Sequence, residues 1–161
     1  MKWIASVCGV GFLRPASGTW GSLAALPLAY GIHQIGGFWF LLNLTVFAFI
    51  SGLIATQRVT EGAEDHDPSW VVIDEVVGQW IALFPVSYGA AMMGIGIERL
   101  WPGWIAAFVL FRLFDITKPW LVGRADRMGT PMGVMLDDVI AGVFAAIGVI
   151  ALASVYHGAM M

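Results

Sequence analysis

The chain has 161 residues, a net charge of −3 and only 12% charged residues, about half the roughly 25% usual in soluble domains. Hydrophobic residues make up 59% and the mean hydropathy is +0.82, which argues against a soluble domain and for a single membrane-embedded domain over residues 1–161. No basic stripe with interleaved aromatics is present, so a nucleic-acid surface is excluded, and the lone Cys8 excludes an intrachain disulfide or a thiolate metal site.

Taken in chain order, "MKWIASVCGVGFL" resembles a short signal peptide but lacks a convincing cleavage site, and it is read as retained. "SGTWGS", Ser17 to Ser22, precedes a short apolar stretch, Ser22 to Ile35, that holds Pro27 and fits a re-entrant or tilted helix as well as a span. Hydroxyls, glycines and free N–H groups at such a helix start suit an anion. Phe38 to Thr56 carries no charge and is the clearest span, since a crossing helix needs about 20 mostly apolar residues.

"TQRVTEGAEDHDPS" is the most polar stretch and is expected in solvent, with Asp67 and Pro68 as N-cap and first residue of the next helix. That helix, Trp70 to Tyr88, has the length of a span yet carries Asp74 and Glu75. Trp104 to Lys118 reads as a helix that Pro119 ends. Trp120 to Gly133 reads as a Gly- and Arg-containing loop, and Met132 to Tyr156 as a last span with "MLDDVIAG" near its start. The expected fold is all-α, a polytopic membrane helical bundle of about four transmembrane or re-entrant helices. Arg112, Lys118, Arg124 and Arg127 form the densest positive cluster and place that side in the cytoplasm by the positive-inside rule.

The chemistry concentrates in the acids. Residues four apart share a helix face, so Asp74 aligns with Gly78 and Ala82, and Asp138 with Gly142 and Ala146. Small residues let helices approach closely in lipid. Packing these faces together brings Asp74 and Asp138 near one another, flanked by Glu75 and Asp137. Each acid near a helix centre costs about 2.5–3.5 kcal/mol on insertion scales, so several together need a purpose. Carboxylates gathered at low dielectric need protons or a cation, and an oxygen-only set points to Mg²⁺ first, then Mn²⁺ or Ca²⁺. The competing reading makes them N-terminal helix charges at the water interface, favoured by the helix dipole. Arg112, Asp115 and Lys118 share a broad face suited to phosphate oxygens, against a plain Arg112–Asp115 pair with a snorkelling Lys118. His33, His66 and His157 are scattered and suggest no cluster; His66, beside Asp67, is expected in solvent.

In order, "SGTWGSLAALP", "HDPSWVVIDEVVGQWIAL", "FRLFDITKPW" and "MGVMLDDVIAGV" resemble the successive motifs of the bacterial phosphatidylglycerophosphatase A family, from about Gly9 to Val143. The resemblance implies a small Mg²⁺-using lipid phosphatase of the bacterial inner membrane. Such an enzyme removes the terminal phosphate of phosphatidylglycerophosphate to give phosphatidylglycerol. By resemblance, Thr19, Gly21 and Ser22 fall in the glycine-rich motif, and Asp74, Glu75 and Gly78 in the Asp-Glu motif. Asp115, Lys118 and Pro119 fall in the third motif, and Asp137, Asp138 and Gly142 in the last. The chain has Ser17 where the family usually has Pro before Gly-Thr, and Leu121 where it usually has a second Pro.

Together these readings make Asp74, Asp138 and Asp115 the expected catalytic acids, and Asp74, Glu75, Asp137 and Asp138 the expected metal ligands. Thr19, Ser22, Arg112 and Lys118 are the expected phosphate-binding groups. The partners expected are the lipid substrate and the bilayer, with the site facing the cytoplasm. The alternatives are a small cation carrier or channel using buried carboxylates, and a structural membrane subunit.

Overall fold

A computed structural model describes residues 1–62 and 68–160; Asp67 and His66, assigned above to a helix cap and to solvent, lie outside the described residues. The described residues form helices and no strand: α1 (Lys2–Ala5), α2 (Ser17–Thr60), α3 (Ile73–Met93), α4 (Trp101–Thr117), α5 (Leu121–Asp126) and α6 (Pro131–Met160). Four of these helices, α4 being extended by the 3₁₀ turn at Ile97–Leu100, are long and apolar enough to cross a membrane.

α2 is a helical hairpin. Its 44 residues break at Gly36 and Gly37, where Gly37 takes φ +63°, a left-handed conformation that favours glycine. Phe38 stacks edge-on against Phe84 and Tyr88, and His33 Nδ1 lies 2.7 Å from Ser87 Oγ, so the break sits beside the far end of α3. Gly21 packs on Val72 and Gly52 on Ile73, which brings both other ends of the hairpin back to the start of α3. Ser22 to Ile35 thus runs as a full first arm through Pro27, antiparallel to the Phe38–Thr56 span.

α3 is the axis of the bundle. In its most apolar stretch 56% of residues are buried, against 11% for the α4 segment. It packs mainly on α2 and α6. The α3–α6 contact is backbone against backbone: a Cβ added to Gly142 would lie 2.4 Å from the Gly78 carbonyl oxygen, and one on Gly78 2.6 Å from the Asp138 carbonyl oxygen. The small-residue faces therefore meet as their spacing requires, continued on α6 by the buried Ala145 rather than by Ala146, which is half-buried.

Three expectations change. Pro68 is not the first helical residue: Val72 caps α3, and Pro68 accepts the Val71 N–H (2.9 Å) in a turn well before it. The cause is tertiary, because Val71 and Val72 are buried and the Val72 N–H donates to the Ala5 carbonyl (2.8 Å). "SGTWGS" does not precede a helix but is the start of α2. The 120–133 loop contains helix α5, whose Val122, Gly123 and Ala125 are buried and which packs on α6.

The N-terminal stretch belongs to the fold. Ala5 and Ser6 are fully buried, and Gly11 lies so tightly on Trp70 that no side chain fits there. Large apolar side chains cover the outside of the bundle, among them Phe47, Val109, Ile147 and Val155. Exposed Trp3, Trp20 and Trp120 mark one end, and Trp39, Tyr88 and Trp101 the other, the pattern of aromatic belts at two membrane surfaces.

Candidate metal and phosphate site

The acids converge at the end where α2 and α3 begin. Asp74 and Glu75 lie in the first turn of α3, and Asp138 faces them across the Gly78–Gly142 contact. One carboxylate oxygen from each of Asp74, Glu75 and Asp138 lies within 4.8 Å of the others. Asp74 and Asp138 are 6% and 3% exposed. Glu75 Oε2 and Asp138 Oδ1 are buried with no hydrogen-bond donor among the described residues. Unpaired buried carboxylate oxygens are costly, and a set of three hard oxygen donors around one point fits a divalent cation. Among the described residues that line the cavity, no sulfur or imidazole competes with that choice of ligand.

Asp137 takes another part. Its Oδ2 accepts a hydrogen bond from Lys118 Nζ at 3.0 Å, and Lys118 also pairs with Asp126. Burial would pull the Lys118 ammonium's pKa down, but the hydrogen bonds to Asp126 and Asp137 outweigh it and hold the pKa above the usual lysine value. Lys118 is therefore a fixed cation. It caps α4 in the left-handed region (φ +44°), just before Pro119, so α4 ends where Pro119 was expected to end it. Arg112 pairs with Asp115 one turn earlier, and its buried Nε has no partner among the described residues. The plain Arg112–Asp115 pair thus exists, yet both residues line the cavity with the acids.

That cavity, of about 250 Å³, is bounded by Asp74, Glu75, Asp137 and Asp138 on one side and by Arg112, Asp115 and Lys118 on another. It puts a cation-binding set beside two cations suited to an anion. Of the hydroxyls expected to bind phosphate, Ser22 is fully buried and donates to the Gly18 carbonyl (2.9 Å), and neither it nor Thr19 lines the cavity. Ser17, Gly18 and Ser69 do, and the Ser17 hydroxyl donates to the Ser69 carbonyl. Gly18 lies tightest: a Cβ there would stand 2.3 Å from Glu75 Oε1 and 3.2 Å from an Arg112 nitrogen. The sequence signal for Ser17 and Gly18 was the same "SGTWGS", in which Thr19 and Ser22 were expected instead; nothing local marked Ser69.

His33 is bonded to Ser87 at the far end of the bundle and takes no part in the site. A carrier needs its acids along a path, whereas here they gather at one end and α3 and α6 close to backbone contact beneath them. The carrier reading has no support in this packing.

The sequence model of the phosphatidylglycerophosphatase A family matches residues 3–153. The chain belongs to this family. It is 37% identical over 145 residues to phosphatidylglycerophosphatase A of Haemophilus influenzae, covering 89% of this chain and 83% of that one. It is 35% identical over 141 residues to phosphatidylglycerophosphatase A of Escherichia coli K12, covering 86% and 74%. A Bacteroides thetaiotaomicron protein provisionally named phosphatidylinositol-3-phosphatase is 38% identical over 143 residues, covering 86% and 84%. No solved structure matches the chain. Membership makes the protein an enzyme of the phosphatase class, and the matched residues include every acid of the cavity.

Proposed function

We propose that the protein hydrolyses phosphatidylglycerophosphate to phosphatidylglycerol and inorganic phosphate, using Mg²⁺ held by Asp74, Glu75 and Asp138. The observation that carries this reading is the shared cavity, in which three clustered carboxylates stand beside Arg112 and Lys118. The substrate follows the names of the Haemophilus and Escherichia relatives. Bound there, a divalent cation supplies positive charge that offsets both the carboxylates and the phosphate and polarises the phosphoryl oxygens.

The chain's own groups do the rest. Arg112 and Lys118, which line the cavity, hold the phosphate oxygens and orient the phosphorus. Asp138 or Asp74 takes a proton from the attacking water as its oxygen bonds to phosphorus. The bond from phosphorus to the lipid's glycerol oxygen breaks, and that oxygen leaves with a proton from solvent. Asp115 fixes Arg112, and Asp137 fixes Lys118.

The site lies at the end of the bundle that also carries Lys2, Arg14, Arg124 and Arg127, while Arg99 sits at the other. By the positive-inside rule this end faces the cytoplasm of a bacterial inner membrane, at the surface where the headgroup meets water. The test is phosphate release in mixed micelles from phosphatidylglycerophosphate and, separately, from phosphatidylinositol 3-phosphate, with Mg²⁺ or with EDTA. Release from the first lipid alone, abolished by EDTA, is expected. Full release in EDTA sinks the metal, and preference for the second lipid sinks the substrate.

A further inference from the structure

A second cavity, of about 390 Å³, opens beside the first and is lined by residues 11–17 with Ser69 and Trp70. The two cavities share Ala16, Ser17 and Ser69 as a common wall. Its chemistry differs from that of its neighbour. It contains no acid among the described residues and one cation, Arg14, which is exposed and has no ion pair among the described residues. Its rim is apolar: Phe12 and Leu13 are exposed, and Phe12 stacks on Trp70 with ring centroids 5.7 Å apart. Nearby, Trp3 and Ile4 are exposed as well, so this flank presents an apolar surface to the bilayer. The segment is held in place, because the Trp20 indole donates to the Pro15 carbonyl (3.1 Å) and Ser17 to Ser69.

From the first cavity through the shared wall to the second, the lining changes from carboxylates with two cations, to Ala16, Ser17 and Ser69, to Arg14 with the apolar Phe12, Leu13 and Trp70. A phosphatidylglycerophosphate molecule has the same order: terminal phosphomonoester, glycerol, phosphodiester, acyl chains. We propose that this second cavity is the subsite for the lipid's phosphodiester, with Arg14 as its counter-charge and the Phe12–Trp70 rim against the glyceride and acyl ends. The proposal rests on the phosphatase reading, since it takes the phosphomonoester to lie in the first cavity. Arg14 acts in binding and specificity and touches none of the reacting atoms. The arrangement prefers a monoester that carries a second phosphate one glycerol away.

The experiment uses the full chain in mixed micelles, with Arg14→Gln and Arg14→Lys compared to wild type. Losing one charge-assisted contact is expected to raise KM for phosphatidylglycerophosphate about tenfold in Arg14→Gln, with kcat changed less than twofold and Arg14→Lys recovering most of the loss. Inhibition by inorganic phosphate, which needs only the first cavity, is expected to be the same in all three proteins. An unchanged KM, or weaker inhibition by phosphate in Arg14→Gln, overturns the subsite.

A binding arm needs no turnover. Short-chain phosphatidylglycerol keeps the diester and lacks the monoester, and its affinity for the solubilised protein, read by calorimetry, is expected to fall about tenfold in Arg14→Gln. Equal affinities overturn the subsite. If wild type releases no phosphate from phosphatidylglycerophosphate, the phosphatase reading has failed instead, and the binding arm still decides for or against the diester subsite.

Discussion

Asp74 and Glu75 in α3 and Asp137 and Asp138 in α6 present the same kind of sequence, an acid pair followed by Val and, four residues after Asp74 or Asp138, a Gly. In the fold they part company. Both acids of the first pair enter the three-carboxylate cluster, while the second pair divides, with Asp138 in the cluster and Asp137 on Lys118. Adjacent residues on a helix point about 100° apart, so adjacency alone does not bring both carboxylates of a pair to one point. What separates them is the surface opposite. The end of α4 delivers an ammonium to Asp137, whereas beside Glu75 the start of α2 delivers Gly18, whose missing side chain leaves room for the carboxylate. An acid pair is thus a local feature, and its role is assigned by helices distant in sequence.

The largest effects should separate the two members of the second pair. Asp74→Asn and Asp138→Asn are expected to lower the rate of phosphate release by about 10²-fold or more, as removal of a general base or ion ligand does. Asp137→Asn keeps the cluster intact and is expected to cost only about tenfold, through a loosened Lys118. Rates measured under saturating Mg²⁺ decide the matter, and equal losses at Asp137 and Asp138 would erase the division.

Much of this was legible beforehand, and the reason is periodicity. The all-helical fold and the meeting of Gly78 with Gly142 follow from spacing four on apolar helices, a rule that works within one element. The end of α4 before Pro119 follows from backbone chemistry alone. What escaped depended on contacts across the chain. The late start of α3 comes from the N-terminal segment binding Val72, and the helical turn of α5 from burial against α6. Ser69 lines the cavity through its carbonyl's contact with Ser17, 52 residues away in sequence. The assignment of Asp137 to Lys118 needs the left-handed turn at Lys118, which no motif announces.

Gly18→Ala attacks the other side of the comparison. Its methyl group would sit 2.3 Å from Glu75 Oε1, so the carboxylate must move away from the cluster. A displaced ligand or supporting group commonly costs 10–100-fold in metal affinity, and a Mg²⁺ requirement raised by about that factor is expected. Saturating Mg²⁺ should restore most of the rate, which distinguishes displacement of Glu75 from general unfolding. On the Asp137 side, Lys118→Met is expected to lose about tenfold in activity, and Asp137→Asn added to it should lose little more. Losses that multiply would show that the two residues act independently.

The smallest effects on chemistry, and the clearest on stability, belong to the contact that holds the two pairs together. Gly142→Ala places a methyl 2.4 Å from the Gly78 carbonyl, and Gly78→Ala meets both the Asp138 carbonyl and the Phe111 ring. Backbone cannot yield as a flexible side chain does, so α3 and α6 must separate. Overpacking of this kind costs about 1–3 kcal/mol and should lower the thermal midpoint of the solubilised protein. Because Asp138 rides on α6 and Asp74 and Glu75 on α3, the same separation should widen the cluster and weaken the proposed Mg²⁺ binding. Gly148→Ala serves as the control, since the added methyl there meets only the end of the flexible Leu110 side chain. If it destabilises as much as Gly142→Ala while both leave the Mg²⁺ requirement unchanged, the closeness of α3 and α6 is a matter of packing and not of the site.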